Sequence, residues 1–208
     1  MAEMNDSFNE VTAEMLKVIS DYDSVTGFQG AYNIRQDSMC AGRKNSENIT
    51  IESKTDKPGI NIRIKPGTKG ETVYIPACVT HSNVDDLVYN DFFIGEGADV
   101  TIVAGCGVHS DGSETARHNG IHRFFLEKGA KVLYKEKHIG TGKGTGLRKI
   151  DPVTDAYLKE DSYLEMDTVQ LRGVDRTTRS TSAVLDKGAK LEKAMKTFPI
   201  TLTDKICA

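Results

Sequence analysis

The sequence predicts a mostly β chain, a stacked parallel β-helix or solenoid preceded by one short N-terminal helix. Three observations carry that reading. A short corner motif recurs at nearly constant spacing. Apolar and polar residues alternate in short runs between turns. Helical periodicity is confined to one stretch near the start.

The repeat is the strongest of the three. Gly97-Ala98-Asp99-Val100, Gly129-Ala130-Lys131-Val132, Asp161-Ser162-Tyr163-Leu164 and Gly188-Ala189-Lys190-Leu191 align at spacings of 32, 32 and 27 residues. Each follows a strand-like stretch ending in a charge (92–96, 124–128, 156–160 and 183–187), and each leads into alternation. A fixed period of turn plus strands marks an architecture whose coils bury their inward residues against one another. The small Gly-Ala pair suits a tight corner. A β-sandwich whose hairpins reuse Lys-Gly-Ala is the competing architecture.

Residues 7–22 hold the helix. Phe8, Val11, Met15, Val18 and Ile19 make one apolar face, and Ser7 with Glu10 reads as a capping box. From Gly30 the texture changes. Residues 59–64 alternate strictly, as a half-buried strand does, and Lys57-Pro58-Gly59 and Lys65-Pro66-Gly67 read as turns. The expected organisation is a helical segment over 1–29, a β-helix core over 30–191 and an atypical tail over 192–208, where alternation weakens and no fifth repeat is found. An open coil end predicts coverage by a second copy or a partner, because unpaired strand edges associate readily.

Two stretches resemble sites only superficially. The glycine-rich run 140–146 lacks the Gly-Lys-Ser/Thr ending and the helix start of a phosphate loop, and reads as a mobile loop at a coil edge. Residues 169–179, with Arg172, Arg176 and Arg179, read as strand, basic turn and strand on a solvated edge.

Composition narrows the function classes. A chain of 208 residues with 38% hydrophobic and 27% charged residues suits one soluble domain. A net charge of −3 argues against nucleic acid as the main partner. No apolar run approaches the roughly 18 residues of a membrane span. The first ten residues are acidic and polar, unlike a secretory signal, so a cytoplasmic setting is expected. Cys40, Cys78, Cys106 and Cys207 are scattered, with no CxxC pair. In a reducing compartment such thiols are expected to be free.

Candidate chemistry concentrates in residues 91–140, which hold Cys106 and four of the five histidines. Gly105 and Gly107 flank Cys106 and would let a backbone or ligand approach the sulfur. His109, three residues on, would favour the thiolate if protonated. A thiolate here could accept sulfur, bind soft iron or zinc, or act as a nucleophile; a thiol would simply pack at a coil end. His118 and His122 are four apart, a helical spacing, but 120–126 reads as strand, so the two are expected not to converge. Cys106, His109, Asp111, Glu114, His118 and His122 offer soft and borderline ligands without the spacing of a zinc site.

The segments 87–95, Gly105-Cys106-Gly107-Val108-His109, His118-Asn119-Gly120-Ile121-His122 and Glu127-Lys128-Gly129-Ala130-Lys131-Val132 resemble the core of SufB/SufD-type proteins. The likeness is closest to the short, minimal form found with a partner ATPase in anaerobic bacteria and archaea. It covers about residues 30–191 and is most specific in the central fifty. The resemblance implies a right-handed parallel β-helix and a non-enzymatic scaffold in iron–sulfur cluster assembly, handling a transient cluster or iron. Cys106 stands where the family's Gly-Cys strand end is implicated in sulfur reception or transfer. On this reading Cys106 receives sulfur or holds iron, His109 joins it in binding, and His118 and His122 are further metal ligands. The implied partners are a cysteine desulfurase or other sulfur donor, a SufC-type ABC ATPase, and a second subunit in a homo- or hetero-oligomer. The family's later coils and ATPase-docking C-terminal helices have no counterpart before Ala208, so a form lacking that part is expected.

Two other classes compete. One is a metal-dependent, cupin-like enzyme using His109, His118, His122 and Glu127, although no close His-x-His pair is present. The other is a plain β-helix interaction module, in which all four cysteines are replaceable.

Overall fold

Strict alternation over many short segments leaves each strand with one apolar and one polar face, and stacking such strands in parallel buries every apolar face at once. The computed structural model, which describes residues 7–23, 25–197 and 201–207, has that architecture. The readings of the extreme N-terminus, of residues 198–200 and of the Cys207 thiol fall wholly or partly outside the described residues.

Among the described residues one helix, α1 (Glu10–Ile19), precedes sixteen strands: β1 (Ala31–Gln36), β2 (Met39–Lys44), β3 (Ile49–Ser53), β4 (Gly59–Ile64), β5 (Lys69–Tyr74), β6 (Ala77–Val79), β7 (Asp85–Ile94), β8 (Asp99–His109), β9 (Ala116–Leu126), β10 (Lys131–Thr141), β11 (Arg148–Ile150), β12 (Val153–Leu158), β13 (Tyr163–Gln170), β14 (Arg176–Leu185), β15 (Lys190–Thr197) and β16 (Thr201–Cys207). One sheet has the order β15-β13-β10-β8-β5-β1-β2, with β6 beside β1 and β8; the other runs β11-β14-β12-β9-β7-β4-β3, with β16 beside β14 and β11 also beside β9. Only the hairpins β1–β2 and β3–β4 are antiparallel among these pairings. The chain passes from one sheet to the other at each corner, so successive coils stack as a parallel β-helix. A β-sandwich, and the antiparallel jelly roll that a cupin requires, are both excluded by the parallel ladders.

The corners are where the repeat places them. Gly97, Gly129, Asp161 and Gly188 have φ of 64°, 62°, 57° and 73°, the left-handed region that glycine enters freely. Gly67, read from sequence as part of a Pro-Gly turn, is a corner of the same stack with φ 72°. The stack is hydrogen-bonded: Gly67 N–H donates to Glu96 O at 2.9 Å, Gly97 to Lys128 O at 2.9 Å, Gly129 to Glu160 O at 3.0 Å and Asp161 to Lys187 O at 3.1 Å. Strand pairing also continues past Leu191, where alternation weakens: β15 follows β13 in register, and β16 follows β14.

Helix α1 is shorter than its sequence pattern and differently capped. Asn9 is the N-cap, its Oδ1 accepting from Thr12 N–H at 2.9 Å. Ser7 instead donates its N–H to Ala41 O at 2.7 Å. The buried stripe is Thr12, Met15, Leu16 and Ile19, while Val18 is 40% exposed. This stripe lies on the outer face of β8. A Cβ on Gly105 would meet Ile19 O at 2.3 Å, and one on Gly107 would meet Met15 Sδ at 2.3 Å. Glycine there admits the helix, not a ligand of the Cys106 sulfur.

The glycine run 140–146 lies at a coil edge, as expected, and is tied down by stacking. Gly144 N–H donates to Ser110 O at 2.8 Å and Gly146 N–H to Gly112 O at 2.9 Å. Among the described residues no helix is long and apolar enough to cross a membrane.

Candidate functional site

The lumen between the two sheets changes character along each strand. Next to the corners it is aliphatic and aromatic: Ile94, Leu126 and Leu158 face Val100, Val132 and Leu164, then Phe92 stacks on Phe124 with ring centroids 4.5 Å apart. Farther from the corners the same inward positions become polar. They carry Cys106, His118, His122, Glu136, His138, Thr168, Gln170 and Arg179, all buried.

Strand parity decides which predicted residues share this space. Cys106 and His109 are three apart on β8 and so face opposite sides. Cys106 is 5% exposed in the interior. His109 lies outside, lining a cleft beneath α1 with Val11, Met15 and Ile139, its Nδ1 2.9 Å from Thr141 Oγ1. The expected Cys106–His109 pairing is therefore not formed. His118 and His122, four apart on β9, face the same way because the strand period is two. The expectation that they would not converge is overturned. Both reach over Gly120, where an added Cβ would lie 2.5 Å from His122 Nε2 and 3.4 Å from His118 Nε2.

The residue beside Cys106 is His138, which is its register partner on β10; Ala77 of β6 flanks it on the other side. Adjacent rungs are about 4.8 Å apart. His138 Nδ1 lies 3.1 Å from Gln170 Oε1, the next rung of the same ladder. Its Nε2 lies 3.2 Å from Glu136 Oε1. Glu136 is the centre of the cluster. It pairs with Arg179 (Nη2–Oε2 2.6 Å) and accepts from Tyr134 Oη at 3.1 Å and Thr168 Oγ1 at 3.3 Å. Arg179, read from sequence as part of a solvated edge, is 2% exposed inside the lumen.

Electrostatics follow from this packing. Burial alone would push the Glu136 carboxyl up, but the Arg179 guanidinium, with His138 and His122, holds it well below the usual range. Burial first, and the Glu136 charge second, push the Cys106 thiol well above its ordinary value. The interior sulfur is thus a thiol at neutral pH, not the thiolate expected beside an imidazolium. Burial pushes His122 down to about 4, so its ring is neutral, and its Nδ1 has no hydrogen-bond partner among the described residues. His118 is oriented differently: Nδ1 lies 3.0 Å from Asp86 Oδ2, and Asp86 also accepts from Arg35 and Ser38. That carboxylate fixes the tautomer and leaves Nε2 facing the lumen.

The described residues contain no group of three or more His, Cys, Asp or Glu arranged to hold a metal ion. The expected set Cys106, His109, His118 and His122 is not assembled: His109 is outside, and His118 is engaged by Asp86. Of the other described cysteines, Cys78 is buried beneath α1 among Met15, Leu16 and Ile34, and Cys40 is exposed. Glu136 and His138 went unread in the sequence, and Arg179 was read as solvated. One signal could have found two of them: adding the 32-residue coil period to Cys106 lands on His138, and to Ala104 on Glu136.

Fold and site define a class, the parallel β-solenoids, here with a buried thiol among buried imidazoles and a buried ion pair. The chain is, more particularly, SufB/SufD-like. It is 32% identical over 89 residues (42% of this chain, 21% of the relative) to an iron-sulfur cluster assembly SufBD family protein of Methanothermobacter thermautotrophicus strain Winter. It is 33% identical over 98 residues (46% of this chain, 26% of the relative) to an iron-sulfur cluster assembly SufBD family protein of Archaeoglobus fulgidus. The matched part thus spans about a fifth to a quarter of the length of these curated relatives. No family model matches the chain.

Proposed function

We propose that this chain takes part in iron–sulfur cluster assembly as a non-enzymatic scaffold component that receives sulfur at Cys106. The observation that carries the reading is the placement of Cys106 in a polar lumen, one rung from His138, in a chain similar to SufBD family proteins. Cys106 belongs to an apolar cluster with Ala77, Val79 and Val108, and its polar neighbour is His138 on the next rung.

The chemistry is a sulfur transfer. A donor persulfide, R–S–SH, meets the Cys106 thiol; the Cys106 sulfur attacks the terminal sulfur, the donor S–S bond breaks, and the donor leaves as R–SH with the proton that Cys106 gives up. A raised thiol pKa makes that proton the obstacle. An imidazole nitrogen one rung away is the suited acceptor, which assigns a positioning and proton-holding role to His138. The Glu136–Arg179 pair fixes the charge of the chamber. A cysteine desulfurase is the donor this reading calls for, and a SufC-type ABC ATPase the partner that would drive opening of the coils.

The cluster itself is cargo. One thiol and a carboxylate already paired with Arg179 do not make a cluster site within the described residues, so ligands from a second subunit complete it in this reading. The test is anaerobic reconstitution with iron and sulfide, comparing wild type with Cys106→Ala. Loss of cluster absorbance in the variant is expected; equal absorbance in both removes Cys106 from the site.

A further inference from the structure

The first coils enclose a second polar space, at the opposite end of the stack from β15 and β16. Between the β1–β2 hairpin and the β3–β4 turn lies a pocket of about 230 Å³. Its lining includes four cationic side chains, Arg35, Arg43, Lys54 and Lys57, and no Asp or Glu.

Two of these charges are compensated nearby. Arg35 is 2.7 Å from Asp86, and Lys54 is 2.6 Å from Asp91. The other two are not. Arg43 donates Nε–H to the neutral Asn33 Oδ1 at 2.8 Å and forms no ion pair with a described carboxylate. Lys57 has only the exposed Asp56 at 3.8 Å, and lies 4.6 Å over the Tyr89 ring. Asn90 also borders the pocket. It is 7% exposed, and its Oδ1 has no hydrogen-bond partner among the described residues. The unpartnered oxygen is an acceptor and takes a donor, so an anion in the pocket is met by the Asn90 N–H₂ and not by that oxygen.

We infer that this pocket binds a small oxyanion of the phosphate or sulfate class, held by Arg43 and Lys57 with Asn90 as its polar floor. Charge-assisted hydrogen bonds from a guanidinium to such an anion are short and directional. The inference stands apart from the sulfur reading, but the two sites adjoin. Ala77 and Asn90 of the pocket are register partners of Cys106 and His122, so a bound anion lies one coil from the thiol.

Cys40 supplies the readout. It lines the pocket, is exposed, and has its Sγ 3.4 Å from the same Asn33 Oδ1 that Arg43 holds. Alkylation of Cys40 by iodoacetamide is followed on its tryptic peptide as phosphate, then sulfate, replaces chloride at constant ionic strength. Saturable slowing by both anions is expected. In Arg43→Gln the half-saturating concentration is expected to rise about tenfold, the loss of one charge-assisted hydrogen bond, with circular dichroism unchanged. Lys57→Gln is expected to weaken binding in the same direction, and decides the matter if Arg43→Gln does not fold. Slowing that never saturates, or that is undiminished in the folded variants, overturns the inference.

Discussion

Cys106 and His138 are adjacent rungs of one inward-facing ladder, paired Cα to Cα between β8 and β10 although thirty-two residues separate them in the chain. If His138 holds the proton that Cys106 must release, His138→Gln should slow persulfide formation by roughly 100-fold while leaving Cys106 able to accept sulfur. Glutamine keeps a polar group for Gln170, so the fold should persist. His109→Gln should change the rate little, because that ring lies outside the lumen. Single-turnover mass spectrometry of the Cys106 peptide distinguishes the two variants; equal slowing in both would contradict the assignment.

The Glu136–Arg179 pair predicts asymmetric stability effects. Glu136→Gln removes the carboxylate that Arg179 Nη2 meets at 2.6 Å and should cost about 3–5 kcal/mol in urea unfolding. Replacing both residues by Met removes both buried charges and should recover most of that loss. A double variant as unstable as the single one would mean that the network, not the charge, holds this region.

Stability should fall on acidification with a component from His122. In the folded chain its pKa is pushed down to about 4, against an ordinary 6.5, chiefly by burial; Glu136 opposes this, and His118, Arg179 and His138 add to it. The unfolded chain therefore takes up the proton first as pH falls. The contribution of neutral His122 is fully present above pH 6.5 and is lost as pH drops toward 4, on the order of 3 kcal/mol. Asp86 and Glu136, both held low, lose stability in the same direction at lower pH. Urea midpoints across pH 4–7 should decline for wild type and decline less for His122→Gln.

Helix α1 should come loose without loss of the coils when Gly105 gains a side chain. Gly105→Ala drives a Cβ to within 2.3 Å of Ile19 O, backbone that cannot swing aside. A cost of about 1–3 kcal/mol is expected for such overpacking, with reduced protection of the α1 amides and unchanged protection in β10 by hydrogen exchange. Uniform loss of protection would show that helix and coils are one cooperative unit.

The corners and the parallel stack were legible in the sequence because they are local and periodic: Gly97, Gly129, Asp161 and Gly188 recur, and each occupies the left-handed region. The interior was less legible because it is a property of register. His109 is near Cys106 in the chain but on the wrong face, whereas His138 is distant and adjacent. His118 and His122 looked unrelated once the helix was set aside, yet a strand of period two brings i and i+4 to one side. Arg179 looked solvated because arginine usually is; only the position of Glu136 across the lumen explains its burial. The Asn9 cap displaced the expected Ser7 because Ser7 is already bonded to Ala41.

The most direct measurement is the sulfur content of Cys106 itself. The chain is incubated anaerobically with a cysteine desulfurase and free cysteine, alkylated, digested and read by mass spectrometry. A one-sulfur increment on the Cys106 peptide, absent from that peptide in Cys106→Ser, is the predicted result. An increment confined to exposed Cys40, or none on the Cys106 peptide while the desulfurase turns over, would contradict the account.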